Sequence, residues 1–301
     1  MRYLIDAEFR HPTRESTKPP TLFPYAANLR REMTDRNIRR ALDNRHAHEV
    51  SMGKVPAVLY REDENGSHGN FLPATFRQIK GVPNWARRLD KVHTSAKRAL
   101  LSHDCNRREL DSCHSSDALL MNVFCHPDTL AQPAIRHLLG IEDGVKPIFG
   151  YRPGVPQSNG RRDCTEIDMV LGDLLIEAKL TEYDFQTVPR RLIDRYRDLE
   201  AVFNTDALQM KNGVVESYQL IRGVLAAHAA PGVRFCVLCD QRRPDLIDAW
   251  HRVMMAVKPY DLRCRLQLLT WQELAAVLPA PLAKFLDEKY GLVKAIDEAR
   301  R

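Results

Sequence analysis

The residues best suited to chemistry lie in one stretch, Thr165-Glu166-Ile167-Asp168-Met169-Val170-Leu171-Gly172-Asp173-Leu174-Leu175-Ile176-Glu177-Ala178-Lys179. Gly172-Asp173 suits a two-residue hairpin loop, because glycine supplies the positive φ that primed turns need. With that loop, Leu171 faces Leu174, Met169 faces Ile176 and Ile167 faces Ala178. Strand alternation then puts these six apolar side chains on one face. The other face carries Asp168 opposite Glu177, and Glu166 opposite Lys179. Directly opposed Cβ atoms lie about 4.5–5.5 Å apart, so the two carboxylates repel. A hard divalent cation relieves that repulsion, since Mg²⁺ is commonly held by one or two carboxylates together with water and phosphate. Lys179, two residues beyond Glu177 on the same face, reaches the same spot, where it can orient a water or offset charge on a phosphate. Without a metal, the same face reads as a solvated surface with a Glu166–Lys179 ion pair.

Positioning this hairpin requires an α/β framework. Residues 25–44 read as a basic helix, 55–60 as a short strand and 62–69 as a polar turn. Residues 84–103 read as a second basic helix that buries Trp85, Leu89, Val92 and Leu100. Ser115 or Ser116 caps a helix running to Cys125, with Asp117 in its first turn. A further helix covers 128–139. From there strands and helices alternate: a strand at 147–151, the hairpin strands at 165–171 and 174–180, and helices at 189–203 and 214–229. A strand at 233–239, a helix at 246–257, a strand at 263–269 and closing helices complete the chain. That order predicts a mixed sheet flanked by helices.

Asp168 followed at a distance by Glu177-Ala178-Lys179 resembles the PD-(D/E)xK, or restriction-endonuclease-like, nuclease superfamily. Its signature is an acid on one hairpin strand and (D/E)-x-K on the next. The order helix, three strands, helix, strand over 115–240 is similar to the core of that superfamily. The resemblance covers about residues 110–290, and the segments Arg242-Arg243-Pro244 and Leu269-Thr270-Trp271-Gln272 also look like a bacterial branch of it. No proline precedes Asp168, a departure at a position that varies. The resemblance implies a metal-dependent nuclease that hydrolyses phosphodiester bonds in DNA with Mg²⁺ or Mn²⁺ and leaves 5′-phosphate and 3′-hydroxyl ends. It implies that Asp168, Glu177 and the Ala178 carbonyl hold the metal while Lys179 positions the water. It adds a site glutamine on the 214–229 helix, for which Gln219 is the candidate, although helical position alone does not separate it from Arg222. It offers Asp117 and Glu166 as additional acids, Glu166 being read first as the partner of Lys179, and leaves a homodimer open.

Charge divides the chain unevenly. The whole sequence of 301 residues carries 45 Lys+Arg and 39 Asp+Glu, a net of +6, while residues 1–110 alone hold 21 and 13. The basic excess therefore belongs to residues 1–110, expected to form a mainly helical region that grips nucleic acid or sets specificity ahead of a nuclease-like domain at 111–301. Arg161 and Arg162, in a Pro/Gly/Asn loop before the hairpin, are placed to meet phosphates. His103, Cys105, Cys113, His114, Cys125 and His126 cluster without any paired zinc-ligand spacing, and Cys236 and Cys239 fall on opposite faces of a strand. Seven scattered cysteines exclude a disulfide framework, no apolar run is long enough to span a bilayer, and no P-loop, G-x-G-x-x-G or G-x-S-x-G is present. The expectation is a soluble cytoplasmic protein with no membrane partner. The competing expectation is a non-catalytic nucleic-acid-binding protein that keeps the nuclease fold.

Overall fold

The computed structural model describes residues 24–52, 56–92 and 107–292. Helix α1 (Pro24–Asp43) buries Ala26, Leu29, Met33, Asn37 and Ala41, a stripe at helical spacing, and leaves Arg31 and Arg39 exposed. Short strands β1 (His48–Val50) and β2 (Val58–Tyr60) pair antiparallel. Helices α2 (Pro73–Gly81) and α3 (Pro83–Ala86) follow, each opened by a proline, and α3 runs into a 3₁₀ turn at Arg87–Asp90. The second basic helix expected at 84–103 is thus short as far as it is described, and residues 93–106 lie outside the described part. Helix α4 (Ser116–Phe124) is capped by Ser115, whose Oγ accepts from the Ala118 amide at 3.1 Å, and every residue of it is buried. Helix α5 (Pro133–Leu139) leads to strand β3 (Pro147–Tyr151).

A small hairpin, β4 (Val155–Pro156) and β5 (Arg162–Asp163), precedes the long one, β6 (Ile167–Leu171) and β7 (Leu174–Ala178). Gly172, at φ +63°, makes the tight turn, and the pairs Leu171–Leu174 and Met169–Ile176 form as read from the sequence. The expected helix at 189–203 is instead strand β8 (Val188–Pro189) and the single turns α6 (Arg190–Ile193) and α7 (Leu199–Val202). Its middle is pulled out of helix because Tyr196 bridges to Gln157 and its hydroxyl donates to Asp163 at 2.5 Å. Strands β9 (Met210–Lys211) and β10 (Val214–Val215) join β8, so helix α8 (Tyr218–Ala229) starts later than 214. Strand β11 (Arg234–Cys239), helices α9 (Pro244–Ala256) and α10 (Tyr260–Arg263), strand β12 (Leu266–Thr270) and helices α11 (Trp271–Ala275) and α12 (Ala280–Tyr290) finish the described chain.

The main sheet has the order β12-β11-β7-β6-β3, parallel from β12 to β7 and antiparallel from β7 to β3. One face packs Met169, Leu171, Leu174 and Ile176 against Leu119 and Phe124 of α4, Leu29 and Met33 of α1, and Trp271 and Leu282. The other face packs Val170, Leu175, Phe235 and Val237 against Leu220, Ile221 and Val224 of α8 and Trp250 of α9. Cys236 and Cys239 fall in opposite clusters, as strand alternation requires. Helix α1 thus shares a core with the sheet, clipped to α12 by the Asn37 amide donating to the Lys289 carbonyl at 3.0 Å. Among the described residues no helix is long and apolar enough to cross a membrane.

Ile167 departs from expectation. It packs in the α8 cluster with Val170 and Leu175, not with Met169 and Ala178. Gly150, at φ +67°, interrupts β3 opposite Asp168, and the β6–β7 ladder ends at Met169–Ile176. The end of the hairpin therefore turns, and the Asp168 carboxylate takes the place of a ladder partner.

Beneath α1 lies a fully buried ammonium. Lys289 Nζ donates to Asn37 Oδ1 at 2.8 Å and sits 5.0 and 4.6 Å from the ring centres of Tyr60 and Tyr290. Burial pulls its pKa down to about 7, opposed by Cys113 and helped by the Arg40 charge. With the folded value depressed, its contribution to stability is complete above the unfolded pKa and is lost as pH falls through about 7. Lys289→Met is therefore expected to melt several degrees higher at pH 6 and to rise less steeply between pH 7 and 10. Asn37 Oδ1 keeps the Tyr60 hydroxyl as donor in that variant, at 3.0 Å. Thermal melts of both proteins across that range test it, and a lower melting point for the variant at pH 6 would refute it.

Candidate active site

The site is built on the open end of the β6–β7 hairpin. Asp168 Oδ2 accepts the Ala178 amide at 2.7 Å, which holds its carboxylate against β7. Glu177 is 1% exposed and its Oε1 accepts from two donors, Lys179 Nζ at 2.6 Å and Gln219 Nε2 at 2.6 Å. Lys179 is 5% exposed, and its Nζ also lies 3.5 Å from the Ala178 carbonyl. The ammonium therefore touches two of the three groups expected to ligate a metal.

The backbone of Lys179 is fixed from both sides. Its amide donates to the Leu238 carbonyl at 2.7 Å, and its carbonyl accepts the Trp271 indole N–H at 2.9 Å. Just beyond, the buried Arg243 guanidinium donates to the carbonyls of Glu182 and Tyr183 at 2.6 and 3.1 Å. Trp271 and Arg243 thus set the path of the chain leaving the lysine. The sequence offered them only within segments that looked familiar, with no role attached. Glu182 accepts from Ser116 Oγ and from the Leu180 amide, at 2.5 and 2.7 Å.

Helix α8 brings both of its candidates inward. Gln219 lies in the first turn, and Arg222, three residues on, is 2% exposed. Arg222 Nη2 donates to the Glu166 carbonyl at 2.7 Å and stands 3.8 Å from Glu177 Oε2. Helical position did not separate the two residues because both face the same carboxylate.

The two further acids are held by cations from the basic N-terminal part. Arg88 donates to Asp117 Oδ2 at 2.7 Å and to Glu166 Oε2 at 3.3 Å, and Lys91 donates to the same Asp117 oxygen at 3.0 Å. Arg152 reaches Glu166 Oε1 at 3.3 Å. The expected Glu166–Lys179 pair is therefore replaced: Lys179 turns back along its own strand to Glu177, while Glu166 points to Arg88 and Arg152. Arg161 and Arg162 are exposed in the β4–β5 hairpin, where Arg162 donates to the Gly154 carbonyl at 3.2 Å. No hydrogen bond or ion pair among the described residues ties either of them to Asp168 or Glu177.

Charges here are strongly coupled. Close packing first, and then the negative charges of Glu177 and Asp117, push the Asp168 carboxyl well above the ordinary carboxylate value, against Lys179 and the Ala178 amide. Burial opposes the charge on Lys179, but Glu177, Asp168 and Glu182 outweigh it and hold the ammonium more firmly protonated than a free lysine. Burial would raise Asp117 too, yet Lys91 and Arg88 more than offset it and keep that carboxylate ionised.

The residues fit a hard divalent cation. Two carboxylates and a backbone carbonyl are oxygen donors of the kind Mg²⁺ and Mn²⁺ accept, and such sites complete their shell with water. Gln219 Oε1 is buried without a hydrogen-bond partner, which leaves an acceptor unused beside Glu177. Among the described residues no three His, Cys, Asp or Glu side chains cluster as metal ligands, so the fit rests on this mixed set.

Comparison with curated proteins and with solved structures finds no match. A family model does match, over residues 37–291, spanning both the segment that carries Arg88 and Lys91 and the complete five-stranded sheet. With that match and this mixed sheet, the fold is restriction-endonuclease-like, and the chain belongs to the REase-ARP family, described as Restriction Endonuclease associating with ARP.

Proposed function

We propose that the protein is a Mg²⁺- or Mn²⁺-dependent nuclease that hydrolyses phosphodiester bonds in DNA at the open end of the β6–β7 hairpin. The observation that carries this reading is the convergence of Lys179 Nζ on Glu177 Oε1 and the Ala178 carbonyl, with Asp168 held against the same peptide. Asp168, Glu177 and the Ala178 carbonyl hold the metal. A bound divalent cation supplies Lewis acidity, drawing charge off the reacting phosphodiester. Lys179 gives up its contact with Glu177 to orient the attacking water and to offset charge on the phosphate. Gln219 fixes the Glu177 side chain through its amide N–H and accepts from water through its buried Oε1. Arg222 lies close enough to keep part of the Glu177 charge balanced while the lysine moves.

Arg88 and Lys91 keep Asp117 and Glu166 from adding uncompensated negative charge to the site. The basic excess of residues 1–110 grips the DNA backbone, joined by Arg161 and Arg162, and such contacts position the substrate without reading it. The family's description names ARP as an associate, and this chain is proposed to work beside such a partner.

Incubating the protein with supercoiled plasmid and with single-stranded DNA, in Mg²⁺, Mn²⁺ or EDTA, tests the reading. Cleavage in either metal, lost in EDTA, is expected, with ends that a ligase rejoins. Cleavage that persists in EDTA would overturn the metal dependence. DNA binding without any cleavage would favour a binding protein that retains the fold.

A further inference from the structure

A cleft of about 640 Å³ opens beside the acid pair, between the α3 segment and strand β3. Its walls carry Arg87, Arg88, Lys146 and Arg152 against a single carboxylate, Glu166. Glu166 ties the cleft to the site: it lies two residues before Asp168, and its Oε2 shares Arg88 with Asp117. Two of the cations are spare. Among the described residues Lys146 forms no ion pair, and the Arg87 guanidinium is engaged only by the side chain of Asn84.

The floor is aromatic and apolar. Trp85 is locked in place by its indole N–H, which donates to the Pro147 carbonyl at 3.2 Å, and it meets the Phe149 ring edge-on at 6.3 Å. Ile148, next to them on the edge strand, is 58% exposed. A fixed, partly buried indole among cations is the arrangement that binds single-stranded nucleic acid, with bases stacked on the ring and phosphates on the cations. The Trp85–Pro147 hydrogen bond joins the two walls at the floor of the cleft, and a base that stacks on the indole has to be unpaired, because a paired base stays inside the duplex stack.

Building on the nuclease reading above, we propose that this cleft receives a single-stranded stretch of the substrate next to the reacting phosphate. A base lies on Trp85, and Arg87, Lys146 and Arg152 meet the backbone. Arg88 remains with the acids and forms the boundary between the cleft and the metal ligands. The substrate class this implies is DNA with an unpaired segment, such as an end, a flap or a displaced strand.

The chain reports on this cleft through its own fluorescence. It has three tryptophans, and Trp250 and Trp271 are 4% and 1% exposed, which leaves Trp85 as the one within reach of a base. The full-length protein is titrated with a short single-stranded oligothymidylate and with a blunt duplex, in EDTA and in Ca²⁺. Intrinsic fluorescence and the anisotropy of a label on the DNA are followed together. Quenching by the single strand and not by the duplex is expected, and Trp85→Phe abolishes it. Lys146→Ala and Arg152→Ala each weaken single-strand binding by about fivefold to tenfold and flatten its salt dependence.

Binding of the single strand without quenching would overturn the cleft and leave the nuclease reading standing. Equal quenching by the duplex would overturn the preference for an unpaired segment. Failure of either DNA to bind in any condition would remove both the cleft and the nuclease reading beneath it.

Discussion

Lys179→Met is expected to cut the rate of DNA cleavage by about a thousandfold or more while leaving DNA binding within a few-fold of wild type. Removing one preorganised donor aimed at developing charge typically costs about 10²–10³ in rate. Lys179 is more than a donor here, because its charge is held on by Glu177, Asp168 and Glu182 and is present at every assay pH. Its starting point is fixed by the backbone contacts to Leu238 and Trp271. The substitution also leaves Glu177 without its closest cation. Breaking a buried ion pair by deleting one partner costs about 3–5 kcal/mol when the other charge is stranded. Glu177 is not wholly stranded, since Gln219 still donates at 2.6 Å and Arg222 stands at 3.8 Å. A loss near the lower end of that range is expected, and bound metal should recover part of it. Cleavage rates and a thermal melt on the same sample separate the two effects. A variant that melts near wild type and cuts at the wild-type rate would remove Lys179 from the chemistry.

How much of this was legible depended on whether a residue's partner lay nearby in sequence. The turn at Gly172-Asp173 and the alternation beside it put Asp168 and Glu177 at one end of a hairpin, because strand geometry has a period of two and the loop fixes register. Ile167 escaped that logic. Its side is set by Gly150, which breaks the neighbouring strand and lets the hairpin end rotate. Lys179 was correctly brought to the acids, but its partner was misread: the opposed Glu166 is claimed by Arg88, 78 residues away. Nothing in Arg87-Arg88 marks the second arginine as the one that turns inward. That choice comes from the 3₁₀ turn at Arg87–Asp90, which follows two proline-opened helices. Arg222 was weighed and left undecided on helical spacing alone, whereas Trp271 and Arg243 act through backbone carbonyls, which leave no trace in composition.

Asp168→Asn is expected to abolish cleavage and, in metal-free buffer, to make the protein more stable than wild type. The Asp168 carboxyl is pushed well above its ordinary value, first by packing and then by Glu177. A carboxyl whose folded pKa is raised contributes stability that is complete below its unfolded value, about 3.9, and is lost as pH rises through the folded value. Above that unfolded value the metal-free wild type progressively loses that contribution, because packing and the Glu177 charge disfavour a second carboxylate in the site. Asparagine carries no charge to repel, and its amide oxygen can still accept the Ala178 N–H that Asp168 takes at 2.7 Å. A gain of about 1–2 kcal/mol corresponds to about 2–3 °C in a chain of 301 residues. The advantage should shrink on acidification, as the wild-type carboxyl takes up its proton. It should also shrink with Mg²⁺ or Mn²⁺, because a metal at a hundred times its dissociation constant stabilises the wild type by about 2.7 kcal/mol and the variant far less. Melting curves of both proteins at several pH values, with and without metal, check each part. If Asp168→Asn melts below wild type in metal-free buffer at pH 8, the two carboxylates do not strain the fold, and the argument for a cation between them loses its electrostatic ground.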